Sequence, residues 1–230
     1  MIHVNCSLLV IVLLSFSTKL MSQDGAMDLD HVYGLDQTLI NGKKYTFIPP
    51  PGTKGDQFLI SPVYMAGSVS LRGKCYEDQS LNYDIYNQQL LLQYANDNFP
   101  RNTIEVSAAW LQGFTLGHMK FELLHLEQEP HFYQVLGEGA VRILYYWRKN
   151  MDVEGAIGSV RLTFTRTVRD SFVHMEGQLK PFKTKRRLIR LFDPGHRSEI
   201  KNYLRKNKIK VKKASDHPMA ELITFIGNLK

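Results

Sequence analysis

The chain is predicted to be mainly β: an antiparallel meander, a sandwich or an open barrel, followed by a small C-terminal helical appendage. Three observations carry this. Apolar and polar residues alternate through much of residues 39–179. Glycines and one Asn-Gly pair separate the alternating runs. After Lys180 the apolar residues fall at helical instead of strand spacing. The composition of the 230 residues, 43% hydrophobic and 22% charged, suits a folded core and excludes wholesale disorder.

Taken in order, the first element is an apolar run from Leu8 to Phe16, ended by Ser17, Thr18 and Lys19. A membrane-crossing helix needs about 20 apolar residues, about twice this length. The run therefore reads as the h-region of a secretory signal over residues 1–22, cleaved near Ser22 to Ala26. Cys6 precedes the run, so it is not a lipidated cysteine. Cys75 would then be the only cysteine of the mature chain, which excludes an internal disulfide. In its strand-like setting Cys75 is expected to be a small buried hydrophobe.

Residues 23–179 form the expected β-rich domain. Leu81, Tyr83 and Ile85 alternate with Asn82, Asp84 and Tyr86. Val141, Ile143, Tyr145 and Trp147 alternate with Arg142, Leu144, Tyr146 and Arg148. Val160, Leu162 and Phe164 alternate with Arg161, Thr163 and Thr165, with the polar face running on to Thr167 and Arg169. Successive strand side chains point to opposite faces, so these runs describe half-buried strands. Asn41-Gly42 is expected to turn a hairpin between Leu39-Ile40 and Tyr45-Phe47. Gly73, Gly113, Gly117, Gly137 and Gly139 are expected in further turns.

Residues 180–230 are the expected helical tail. Asp193-Pro194 resembles an N-cap with proline in the first turn, ahead of Ile200, Tyr203 and Leu204. A second helix is predicted from Ser215 or Asp216, with Met219, Leu222, Ile223 and Ile226 on one face and Gly227 as its stop. Both are short, so they should dock on the sheet or on each other.

The tail also holds the charge. Residues 1–179 carry 14 Lys+Arg against 18 Asp+Glu, whereas residues 180–213 carry 14 against 2. Lys183, Lys185, Arg186, Arg187 and Arg190 form one cluster. Arg205, Lys206, Lys208, Lys210, Lys212 and Lys213 form another. Such density attracts polyanions, and a bland alternative is a solvated surface that keeps the protein soluble. An exported chain meets an anionic lipid headgroup or an acidic polysaccharide of the envelope, or another envelope protein; nucleic acid is disfavoured.

Other chemistry is weakly supported. His125, Glu127, Glu129 and His131, spaced by two, would share one face of a straight strand and suit zinc, but Pro130 interrupts them. No metal ligand is assigned. Gly155 to Ser159 lacks the lysine of a phosphate loop and reads as a turn. No Gly-x-Ser-x-Gly elbow is present, and Asp84, Glu105 and Glu138 cannot be paired across a fold, so no catalytic residue or cofactor is assigned. Tyr83, Tyr86, Tyr94, Trp110, Tyr145, Tyr146 and Trp147 could line a platform for a sugar or peptide, though core packing explains them as well.

Leu81 to Leu92 contains a Tyr-Asp-x-Tyr-Asn-x-x-Leu stretch, and a second notable stretch runs from Ile200 to Ile223. Both resemble an uncharacterised family of exported, β-rich proteins of Gram-negative bacteria with a basic helical C-terminus, the first being similar to that family's strand pair. Gln88-Gln89 departs from the acidic pair that the family shows there. The resemblance implies export, this architecture, Tyr83 and Ile85 as core positions and Asn87 at a turn; it implies no activity.

The resulting expectation is a non-enzymatic envelope-associated binding or structural protein, periplasmic, outer-membrane-associated or secreted, whose basic tail contacts an anionic partner. Two alternatives stand beside it. One is a small-ligand or carbohydrate binder, or an enzyme, using an aromatic cleft. The other is a subunit docking a protein partner through an apolar stripe of Ile200, Tyr203, Leu204, Leu222 and Ile226.

Overall fold

Thirteen strands and three helices follow one another in the computed structural model, which describes residues 36–96, 99–126, 129–155 and 160–229. The strands are β1 (Lys43–Lys44), β2 (Met65–Leu71), β3 (Lys74–Asp84), β4 (Gln89–Asn96), β5 (Phe99–Glu105), β6 (Leu111–Leu116) and β7 (Met119–Leu124). They continue as β8 (His131–Leu136), β9 (Val141–Arg148), β10 (Met151–Glu154), β11 (Arg161–Phe164), β12 (Val168–Met175) and β13 (Gln178–Phe182). The helices are α1 (Lys185–Arg190), α2 (Arg197–Lys206) and α3 (Asp216–Gly227). The signal expected over residues 1–22 lies outside the described residues, as does most of the turn expected after Gly155.

The chain is mainly β, as predicted. Eleven strands form one antiparallel sheet in the order β1-β5-β4-β3-β2-β6-β7-β8-β9-β12-β13, and β10 and β11 pair separately as a hairpin. Each neighbour is joined by a short local connection except where β1 crosses to β5, where β2 pairs with β6, and where β9 pairs with β12 across the inserted β10–β11 hairpin.

The sheet is strongly curled. Tyr83 on β3 packs edge-on against Phe114 of β6, Phe121 of β7 and Phe132 of β8, with ring centroids 5.4, 5.4 and 5.7 Å away. Four strand steps separate β3 from β8, which would span about 19 Å in a flat sheet. Only a sheet bent back on itself brings those rings into contact. Its inner face is lined by Val69, Leu71, Leu81, Leu90, Leu92, Ile104, Leu116 and Phe121, all nearly sealed from solvent. The curl is fastened where the β3–β4 turn meets the end of β9: Gln88 Nε2 donates to Trp147 O at 2.9 Å, and Lys149 N donates to Ile85 O at 3.4 Å.

The helices line the same inner face over β8, β9, β12 and β13. Leu188, Ile200, Leu204, Ile209, Val211, Met219, Leu222, Ile223 and Ile226 bury against Leu136, Ile143, Tyr145, Val173 and Phe182. Each such side chain contributes about 2 kcal/mol by leaving water, which short helices need in order to persist. Trp147 touches both cores. Its Nε1 donates to Gln134 Oε1 at 2.8 Å, and Gln134 Nε2 donates to Asp216 Oδ2 at 2.6 Å, tying the first turn of α3 to the sheet.

Several expectations are corrected. Asn41-Gly42 does not turn a hairpin: β1 pairs with β5, and Asn41 Nδ2 closes a local turn on Thr38 O. Glycine is needed there because a Cβ at position 42 would sit 1.8 Å from the Glu105 carbonyl oxygen. Gly113 lies within β6 and not in a turn. The run from Val160 to Arg169 breaks at residues 165–167 into β11 and β12. Asp193 does not cap a helix. Its Oδ1 accepts from Gly195 N at 2.7 Å in a tight turn, and α2 begins at Arg197. α1 has no counterpart among the expected elements. α3 begins after Ser215, as its spacing predicts.

The face opposite the inner core is not simply polar. Asn82 and Asp84, on the polar side of the alternation, are 2% and 0% exposed because residues 45–64 cover them. Asn82 Nδ2 donates to Ser61 O, and Tyr45 Oη to Asp84 Oδ2 at 2.7 Å. Burial first, then the Asp84 carboxylate, push the Tyr45 hydroxyl well above its ordinary value. Farther along, Tyr133, Val135 and Leu144 form a small outer cluster with Tyr146 and Phe172.

Candidate anion-binding face

The eleven basic residues singled out in the sequence sit on a folded scaffold. Lys183 follows β13. Lys185, Arg186, Arg187 and Arg190 lie on α1. Arg205 and Lys206 end α2, and Lys208, Lys210, Lys212 and Lys213 occupy the α2–α3 connection. All are exposed except the half-buried Lys185.

Local sequence explains their outward direction. Thr184 caps α1, its Oγ1 accepting from Arg187 N at 3.2 Å, and Leu188 points into the core. In the connection, Ile209 and Val211 are 7% and 6% exposed, so the intervening Lys208, Lys210 and Lys212 face solvent. Lys208 adopts φ 53° while Ile209 N donates back to Leu204 O at 3.0 Å, the left-handed closure of a helix C-terminus. The lysines therefore hang from backbone pinned by buried neighbours.

Acidic partners are missing from this surface among the described residues. The two carboxylates of residues 180–213 are spent elsewhere: Asp193 in its turn, and Glu199 beside His196 Nδ1 at 3.7 Å. None of the eleven cations forms an ion pair among the described residues.

Tertiary structure adds a residue that sequence reasoning missed. A groove of about 390 Å³ is lined by Val168, Arg169, Asp170 and Ser171 of β12, by Phe182 and Lys183, and by Val211 and Lys212. It joins one lysine from each sequence cluster to Arg169, which the alternation marks only as a strand residue. The Arg169 guanidinium lies over the Tyr145 ring, 4.1 Å from its centroid, and 5.6 Å from that of Trp147. The Tyr145 hydroxyl is buried without a hydrogen-bond partner. Burial pushes it up to about 12, with Arg169 pulling in the opposite direction.

The remaining candidate residues do not converge. His125 follows β7, Glu129 precedes β8 and His131 starts it, so they do not share one straight strand; Glu127 lies outside the described residues. No group of three metal-ligating side chains occurs among the described residues. Asp84 is saturated by Tyr45, Asn87 and two backbone N–H groups, Glu105 is 3.3 Å from Lys43, and Glu138 is exposed in a turn. Tyr83 and Tyr145 belong to the inner core, Tyr146 to the outer face, and Trp110 stacks under Arg72 at 3.5 Å, so the aromatics form no common platform. His174 carries two buried, unpartnered ring nitrogens, and burial, then Arg142, hold its pKa below the ordinary value. Cys75 is exposed, contrary to expectation. The tail's apolar stripe is also occupied: Ile200, Leu204, Leu222 and Ile226 are buried, and Tyr203 stacks on Phe225 at 4.3 Å.

No described helix is long and apolar enough to cross a membrane. No family model, curated protein or solved structure matches the chain.

Proposed function

We propose that this is an exported, non-enzymatic envelope protein whose basic helical end binds an anionic envelope component, a lipid headgroup or an acidic polysaccharide. One observation carries the reading: eleven cations without acidic partners among the described residues project from a scaffold whose apolar side is already buried in the sheet. A merely solubilising surface has no need of one sign of charge. Mixed signs serve that purpose, with pairs that weaken self-repulsion. The leader-like run of Leu8 to Phe16 supports export.

Each exposed Lys or Arg close to an anionic surface adds about 1 kcal/mol, and the attraction is screened within about 10 Å at 0.1 M salt. Affinity should therefore come from number and fall steeply with salt. The chain begun near Gln23 is mixed with anionic vesicles and with an acidic polysaccharide, at low and moderate salt. A second protein carries Arg186→Gln, Arg187→Gln, Lys206→Gln and Lys210→Gln, all exposed positions. Salt-sensitive binding that the neutralised protein loses supports the reading. Binding by neither protein, or equally by both, overturns it.

A further inference from the structure

We propose that the groove between β12, the end of β13 and the α2–α3 connection is a site for one phosphomonoester group, held by Arg169, Lys183 and Lys212. The proposal rests on the anionic-partner reading and narrows it from a diffuse charged surface to a defined pocket.

The first argument is charge. Arg169, Lys183 and Lys212 line the groove, and its only acid among the described residues is Asp170. Alternation turns that carboxylate to the outer face of the sheet, where it accepts from Arg148 Nε at 2.9 Å. Three cations remain without an acidic partner among the described residues. A phosphomonoester carries a charge of about −1.5 to −2 near neutral pH, more than a single carboxylate or a phosphodiester brings.

The second argument is pre-organisation. Lys183 follows Phe182, which is 3% exposed, and Lys212 follows Val211, at 6%, so both lysines spring from immobilised backbone. Stacking over Tyr145 holds the Arg169 guanidinium, yet none of its N–H groups has an acceptor among the described residues. A planar fork fixed by stacking and lacking an acceptor is suited to two oxygens of one phosphate. Ser171 adds a hydroxyl to the lining. The volume, about 390 Å³, admits a phosphorylated headgroup and not merely the phosphate. Such a group belongs to a lipid headgroup or to a soluble phosphorylated metabolite, and the chemistry of the groove is the same for both.

The test uses the chain begun near Gln23, with glycerol 3-phosphate as the soluble probe, read by calorimetry and amide NMR shifts. Vesicles containing phosphatidic acid or phosphatidylglycerol, matched in surface charge, form the lipid arm. The groove predicts saturable binding of glycerol 3-phosphate, at least about tenfold weaker in Lys183→Gln/Lys212→Gln, as loss of charge-assisted hydrogen bonds implies. Arg169→Lys keeps the charge but removes the fork, and should weaken binding comparably. Lys44→Gln/Lys54→Gln, at exposed positions outside the groove, should change it by less than about twofold. The two groove lysines are exposed, so their variant stays folded even if Arg169→Lys disturbs its aromatic bed.

Failure to saturate, equal weakening in the Lys44→Gln/Lys54→Gln protein, or equal affinity for acetate overturns the groove. Vesicle binding that survives in Lys183→Gln/Lys212→Gln while glycerol 3-phosphate is not bound overturns the groove alone. Glycerol 3-phosphate binding without any vesicle or polysaccharide binding confirms the groove, assigns it a soluble ligand and overturns the envelope-surface reading. Preference for phosphatidic acid over phosphatidylglycerol, lost with the two lysines, assigns it a headgroup.

Discussion

Cys75 and Asp36 show how single residues take their chemistry from neighbours that alternation does not reveal. Cys75 donates its Sγ hydrogen to Glu77 Oε1 at 3.0 Å, and that carboxylate is the chief reason its thiol is pushed up. The exposed thiol should consequently react slowly. Glu77→Gln is expected to speed its reaction with a neutral disulfide reagent at pH 8 by about threefold or more, measured as initial rate. An unchanged rate would mean that the contact is absent in solution. At Asp36, burial pushes the carboxyl up, but Lys74, the Thr38 N–H, the Tyr76 hydroxyl and the Leu39 N–H outweigh it and bring it down to about 2. A depressed folded pKa stabilises the protein above the unfolded value near 4 and ceases to do so as pH falls to about 2. Its partner Lys74 is 62% exposed and solvent screens the pair, so the contribution is at most about 1 kcal/mol. Asp36→Asn should lower urea stability at pH 7 by that amount, and the difference should shrink as pH falls through about 2.

At the scale of elements, the approach of α3 to the β8–β9 turn sets a constraint. Gly137 has φ 81°, and a Cβ there would lie 2.2 Å from Ile223 Cγ2. Gly137→Ala should cost roughly 2–3 kcal/mol, from backbone strain together with the displaced isoleucine. In an Ile223→Ala background the added cost should drop to roughly 1 kcal/mol, which urea denaturation of the four proteins in the cycle would measure. Additive costs would show that α3 does not press on the turn. The same scale explains which elements could be read from the chain. α3 has apolar residues at helical spacing, all facing the sheet, and was legible. α1 buries only Leu188 among basic residues, so no periodicity marks it. Asp193-Pro194-Gly195 suits a tight turn as well as a cap, and nothing local decides between them.

A bulge in β3 accounts for the misread cysteine. Gly67 pairs with Gln79 and Val69 with Tyr76, so β3 carries one extra residue, and Asp78 adopts φ 55°. The insertion reverses the phase of the alternation: Leu81 and Tyr83 face inward at odd numbers, but Tyr76 faces inward at an even one. Cys75 is thereby turned outward.

At the scale of the molecule, the sheet and the helices share their core. A chain ending at Leu179 would lose Phe182 and every helical side chain packed on Ile143, Tyr145 and Val173. Such a protein is expected to lack a cooperative unfolding transition and to expose an apolar face that binds a hydrophobic dye, whereas the full chain should unfold in one step. A shortened protein with an intact sharp transition would separate the two cores.

The sequence by itself determined the β-rich class, the inward residues of the regular strands, the last helix and the eleven basic positions. Those features depend on alternation, helical spacing and composition, which are local. The curl that seats Tyr83 on Phe132, the burial of Asn82 and Asp84 beneath residues 45–64, and the union of Arg169 with Lys183 and Lys212 were decided by tertiary structure alone. Each depends on groups far apart in the chain, and no short-range pattern specifies which distant side chain will occupy the space beside another.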